Sequence, residues 1–477
     1  MRAFVLLAFA ALFVAGCSQP ATQTSSSSPM AAVPPGVEVF RDGALVQPLA
    51  TPTGWAGFAP LNHSGSEPNL GITSKGGLFV SSGSAVMASH DGGLHWAVAF
   101  DDPLGNSDPM LWVDTLTDRV YDVPMTVTLA CSRIYTSDDD GKTWATNPQP
   151  ECGRGAYDHQ KFATGVPGPG ANPVAGVQWP TVAYMCYNGV ATTNCGVSYD
   201  GGSTWAWDRG TVVNVLPAQE GGGPTTGCTS GQNGHPTSAP NGVMVYGRTG
   251  PGCPQPFLVE SADSGLTWTL VPGPSSPAPT SLDPEVAFTP DGTLYFLFQD
   301  SKYHEVLARS HDLGQHWDGV FQVNPPGVDS TSFSALATGS NGRVAMAFLG
   351  SEKASGNPTN APANSTYNLY IVTSEDANAT SPTFMSYRAN PKDDPVQVGP
   401  IWQGGGGDPS RNLLDFIDGS VGPDGTFYVA FADGCIQKCA HNGAATPDDS
   451  RSSMTSIGYL RGWSLYNPGE GRPKLLR

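Results

Sequence analysis

The chain has 477 residues, a formal net charge of −18 and only 13% charged residues. That balance repels a phosphate backbone and argues against nucleic acid as a partner. Gly (59) and Pro (43) mark turns rather than disorder, because 11 Trp, 15 Tyr and 19 Phe are present to build a core.

In chain order, the first element reads as an export signal. Arg2 supplies a charged start, and residues 3–14 form an apolar run too short to span a membrane. The run closes on Val14-Ala15-Gly16-Cys17, which resembles the lipobox of bacterial lipoproteins and implies cleavage before a lipid-bearing Cys17. Residues 1–17 are therefore expected to be a lipoprotein signal. Residues 18–36, rich in Ser, Thr and Pro, are expected to be a tether. The expected location is the cell envelope, on its outer surface or periplasmic side, with the lipid as the sole membrane contact. Residues 37–477 remain as one domain.

Eight cysteines follow Cys17, as close neighbours: Cys131/Cys152, Cys186/Cys195, Cys228/Cys253 and Cys435/Cys439. Export favours disulfides within each pair. Zinc held by Cys435, Cys439 and His441 is the weaker alternative.

Two repeats then run through the domain. The first is Ser-x-Asp-x-Gly-x-(Thr/His)-Trp, seen at Ser89–Trp96, Ser137–Trp144, Ser198–Trp205, Ser261–Trp268 and Ser310–Trp317. An eroded copy begins at Ser374-x-Asp376, with Phe384 in the Trp role. Successive starts lie 48, 61, 63, 49 and 64 residues apart, a period suited to a circular β array. Ser and Asp can accept the backbone N–H groups of a tight turn, Gly provides a positive φ, and Trp buries a large surface.

The second repeat is a strand, an Asn/Asp-Gly-like turn and an alternating strand, as in residues 283–296 (DPEVAFTPDGTLYF). Seven such units start near 67, 108, 158, 233, 283, 333 and 416. The expected fold is all-β, a single β-propeller of four-stranded antiparallel blades. Seven blades are preferred, with six as the alternative. Residues 37–46 are expected to supply an outer strand that closes the ring.

Equivalent positions at one end of the innermost strands of a propeller line the axis. Reading those positions gives Glu67, Asn69, Asp108, Asp158, His159, Gln160, His235, Asp283, Glu285, Asp415 and Asp418, with Arg411 as the only cation. The Asp residues of the first repeat are assigned to the rim, because equivalent positions in five hairpins cannot converge on one site.

Asp-box repeats of the first type are found in sialidase-like β-propellers. The phrases Glu67-Pro68, Asp158-His159-Gln160, Gly234-His235, Asp283-Pro284, Asp394-Pro395-Val396-Gln397, Arg411-Asn412-Leu413-Leu414-Asp415-Phe416 and Ala432-Asp433-Gly434-Cys435 resemble secreted bacterial Asp-box proteins of that superfamily. The resemblance covers nearly all of the chain after the tether and implies action on glycans. Exo-sialidases bind a carboxylate through three arginines, the first in a Phe/Tyr-Arg-Ile/Leu-Pro motif. Here the nearest arginine is Arg41, in Phe40-Arg41-Asp42.

An acidic ring suits a neutral glycan better than sialate, and two carboxyls can serve as acid and base or nucleophile. Glu67 with Asp283 or Glu285, assisted by His235, are the expected catalytic groups. Asn69, Asp108, Asp158, His159, Gln160, Arg411, Asp415 and Asp418 are the expected binding groups. No cofactor or metal is expected; Ca²⁺ is conceivable but lacks a loop motif. The competing reading is a non-catalytic glycan- or protein-binding propeller.

Overall fold

Short β-branched and aromatic runs, punctuated by turn residues, fold here as antiparallel meanders. The computed structural model describes residues 36–48, 52–103, 108–125, 131–147, 151–152, 157–169, 179–189, 192–206, 211–214, 233–249, 255–275, 283–404, 406–436, 439 and 452–472. The expected signal, Cys17, almost all of the tether, Cys228, Cys253 and His441 lie outside the described residues.

The architecture is an all-β propeller. Six sheets are four-stranded and antiparallel. Their innermost strands are Leu70–Ile72, Leu111–Val113, Tyr157–Gly165, Thr237–Ser238, Glu285–Phe288 and Asp418–Val421. A larger sheet begins with Ser330–Thr338 and runs through Val344–Ser351 and Thr366–Ser374 to Phe384–Arg388. Every innermost strand begins within a few residues of a repeat start read from the sequence.

The ring closes differently from the expectation. Trp55–Ser64 becomes the outer strand of the last sheet by pairing with Met454–Arg461. Val37–Arg41, expected to close the ring, instead extends the larger sheet by pairing with Phe384–Arg388. Phe40 and Phe384, both fully buried, stack there at 5.7 Å.

The Ser-x-Asp hairpins are self-contained turns. In one, Ser198 Oγ donates to Asp200 Oδ1 at 2.9 Å and accepts from Gly202 N at 2.8 Å. Thr204 N also donates to Asp200 Oδ1 at 2.8 Å, and Gly202 sits at φ +90°. The Trp then packs on a neighbouring aromatic, as Trp205 does on Phe162 at 5.9 Å and Trp268 on Tyr246 at 5.9 Å. These carboxylates are consumed by the turn, in keeping with a rim role.

Among the described residues two local disulfides are present, Cys186–Cys195 and Cys435–Cys439. The second removes the thiolates that the zinc alternative required. Cys131 and Cys152 are register partners in a small two-stranded ladder. Among the described residues no helix is long and apolar enough to cross a membrane, and no group of three or more His, Cys, Asp or Glu side chains could hold a metal ion.

Candidate active site at the propeller axis

The chain brings its axial residues together by breaking strand regularity. In Tyr157–Gly165 the pairing slips between Asp158 and Lys161, a bulge with His159 at φ +55°. Glu67, just ahead of its strand, sits at φ +50°. Non-glycine residues pay for such conformations, and the surrounding contacts must hold them there. Gly234 has no such freedom of replacement: a Cβ on it would lie 1.6 Å from the Pro284 carbonyl oxygen. Its lack of a side chain lets His235 sit against the neighbouring blade.

The loop phrases of the last quarter of the chain meet one another. Gln397 and Asn412 exchange hydrogen bonds through both amides, at 3.1 and 3.2 Å. Gly434 N donates to Val396 O at 2.9 Å, and a Cβ on Gly434 would strike Gln397 and Asn412. This cluster presents Phe416 to the axis.

Phe416 is the centre of the buried layer. Lys161 Nζ stands 3.4 Å above its ring, and His159 and His235 meet it edge-on at 5.7 and 5.3 Å. Lys161 is 0% exposed and pairs with Asp283 Oδ2 at 3.0 Å. His159 Nε2 lies 2.8 and 3.0 Å from the two Asp283 oxygens. Burial opposes ionisation of Asp283, yet His159 and Lys161 outweigh it and hold the carboxyl at about 2. A buried carboxylate is tolerable only with such partners.

His235 carries a second chain of contacts. Asn69 Nδ2 donates to Pro109 O at 3.1 Å, which turns Asn69 Oδ1 toward His235 Nε2 at 3.2 Å. Lys161 Nζ also lies 3.5 Å from Nε2, so that nitrogen faces a donor as well as an acceptor. Glu285 Oε1 lies 2.8 Å from Nδ1. Burial sets the charge state of the pair. Burial, and next Lys161, lower His235 to about 4, while burial pushes Glu285 well above the carboxylate range. The contact is a neutral hydrogen bond rather than an ion pair.

A third group forms an acidic mouth. Glu67 is buried, and burial, then Asp415 and Asp108, push its carboxyl well up. Asp108 is half-buried; burial, then the charge of and a hydrogen bond with Asp158, raise it to about 6. Asp158 is exposed. Arg411 Nη2 donates to Asp415 Oδ2 at 2.7 Å, both partly buried.

The candidates therefore separate by role. Gln160 Nε2 donates to the carbonyls of Asp108 at 2.7 Å and Val123 at 3.3 Å, bracing two blades. Asp418 Oδ2 accepts from Leu70 N at 2.8 Å, joining the last blade to the first, and burial raises it. Arg411 is not the only cation at the axis, because Lys161 lies at its heart. Sequence reasoning missed Lys161 because the bulge between Asp158 and Lys161 breaks the simple alternation of a strand.

No family model matches the chain, and no curated protein matches it. Among solved structures it is similar to a protein of unknown function from Dyadobacter fermentans, with TM-score 0.40, 14% identity, and 89% of this chain and 99% of that one covered. It is also similar to the GH93 α-L-arabinofuranosidase of Fusarium graminearum solved with arabinobiose, with TM-score 0.41, 14% identity and coverages of 62% and 92%. A third is the endosialidase of phage phi92, with TM-score 0.43, 11% identity and coverages of 88% and 70%. Likeness of this size leaves the chemistry to be read from the residues themselves.

Proposed function

We propose that the chain is a glycan-acting propeller that hydrolyses a glycosidic bond at the acidic mouth, with Glu67 protonating the leaving oxygen. One observation carries the reading: a buried carboxyl whose proton affinity is pushed well up stands beside less buried carboxyls in a different environment. An acid and its ionised partner need their affinities for protons pushed apart in this way. Asp415, paired with Arg411 at 2.7 Å, is the group that acts as base or nucleophile. Asp108 and Asp158 receive sugar hydroxyls. Asp283, Glu285 and His235, expected to be catalytic, instead act through their neighbours as positioning residues, since each is buried and bound to another axial group. A mouth of four carboxyls and one arginine favours neutral glycans over sialate.

The finer features belong to the same proposal. The larger sheet counts as a seventh blade, because its inner strand Ser330–Thr338 lies between those of the neighbouring blades, Glu285–Phe288 and Asp418–Val421. The hairpin repeats support kinship with sialidase-like propellers, and the Val14–Cys17 phrase supports export and a lipid anchor.

The test is product release from arabinogalactan, pectin and sialoglycan pools, run beside glycan-array binding. Wild type should release a neutral sugar. Glu67→Gln should lower kcat by roughly 10² or more, with binding and melting temperature retained. Binding by wild type without any product would establish the non-catalytic reading instead.

A further inference from the structure

A cavity of about 500 Å³ occupies the channel at the other end of the inner strands. None of Glu67, Asp108, Asp158 or Asp415 lines it. Its walls come from the strands as they leave the buried layer, through residues such as Phe288, Leu336, Thr338 and Val421. The Lys161–Phe416 layer separates it from the mouth: His235 belongs to both, packing on Phe416 and lining the cavity. The volume is within the range of small-molecule sites.

Its lining has two characters. Trp112, Phe288 and Tyr466 offer apolar ring surface. Against them stand the hydroxyls of Thr237 and Ser420 and the carboxyls of Glu285 and Asp418. Trp112 is fixed by donating from Nε1 to Thr164 Oγ1 at 2.9 Å. Arg472, the only cation among the described lining residues, donates through Nη2 to the carbonyls of Val421 at 2.6 Å and Ile72 at 3.1 Å, while its buried Nη1 has no hydrogen-bond partner among the described residues. It pins two inner strands at the outer end of the channel.

We propose that this channel cavity is a second binding site, separate from the acidic mouth, for a neutral carbohydrate of mono- or disaccharide size. A sugar ring has an apolar C–H face and a rim of hydroxyls, matching the aromatic wall and the hydroxyl and carboxyl groups opposite it. Glu285 is buried against His235 at 2.8 Å, and that burial favours its neutral carboxyl toward the ligand. An anionic sugar would face the carboxyl of Asp418. The site is independent of turnover at the mouth.

The test is calorimetric titration of the full chain with galactose, mannose, lactose and galacturonate. At least one neutral sugar should bind saturably, at least tenfold more tightly than galacturonate. Ser420→Phe, which fills the channel, should weaken that binding at least tenfold, and Thr237→Phe serves if the first variant unfolds. Binding should persist in Glu67→Gln, so this outcome is distinct from failure at the mouth. Absence of saturable neutral-sugar binding, preference for galacturonate, or indifference to both channel-filling variants would overturn the proposal. So would loss of binding in Glu67→Gln.

Discussion

His235→Gln deletes one titration while keeping a donor toward Asn69 and an acceptor toward Glu285. The native ring titrates at about 4, whereas an unfolded histidine titrates near ~6.5. Between those values the unfolded chain binds more protons than the folded one, so acid favours unfolding. The penalty is absent above the unfolded value and complete below the folded one. At about 1.4 kcal/mol per pH unit, the interval corresponds to about 3 kcal/mol. Burial is complete, so solvent screening takes little from this figure. Raised carboxyls such as Glu67 act in the opposite sense, losing stability as pH rises, but those that do not touch His235 are unchanged in the variant and cancel in the difference. Urea unfolding of wild type and His235→Gln between about pH 7.5 and about pH 4 measures that difference. Wild type should lose about 3 kcal/mol more than the variant across the window. Parallel curves would refute the neutral, buried assignment of His235.

Lys161→Met leaves Asp283 buried with one partner gone, and denaturant unfolding should show a loss of about 3–5 kcal/mol; adding Asp283→Asn should restore part of it. Gly234→Ala places a methyl group on the Pro284 carbonyl oxygen, and thermal unfolding should report a loss of about 3 kcal/mol or more. Replacing Cys186 and Cys195 together with Ala opens a loop with a sequence separation of 9. That should cost about 2–3 kcal/mol in the same assay.

The architecture was legible because its signals are local. A hairpin turn needs a Ser, an Asp and a Gly within a few residues, and Ser198–Trp205 satisfies its own hydrogen bonds without distant help. The turn-and-strand phrase recurs for the same reason, so the inner strands were found near their true starts. Closure was not legible. Whether Val37–Arg41 or Trp55–Ser64 completes the last sheet depends on where Phe40 finds its pocket, a contact with Phe384 far away in sequence.

The sequence by itself also located many of the residues that reach the axis, since strand position in a repeat dictates radial position, but it missed Lys161 behind the bulge. Tertiary structure alone decided what each one does there. Asp283 and Glu285 are two residues apart at the start of one strand, yet their proton affinities are driven in opposite directions. Asp283 meets Lys161 and His159, whereas Glu285 meets the buried ring of His235. Charge state depends on partners brought in from other blades, and no local pattern encodes them.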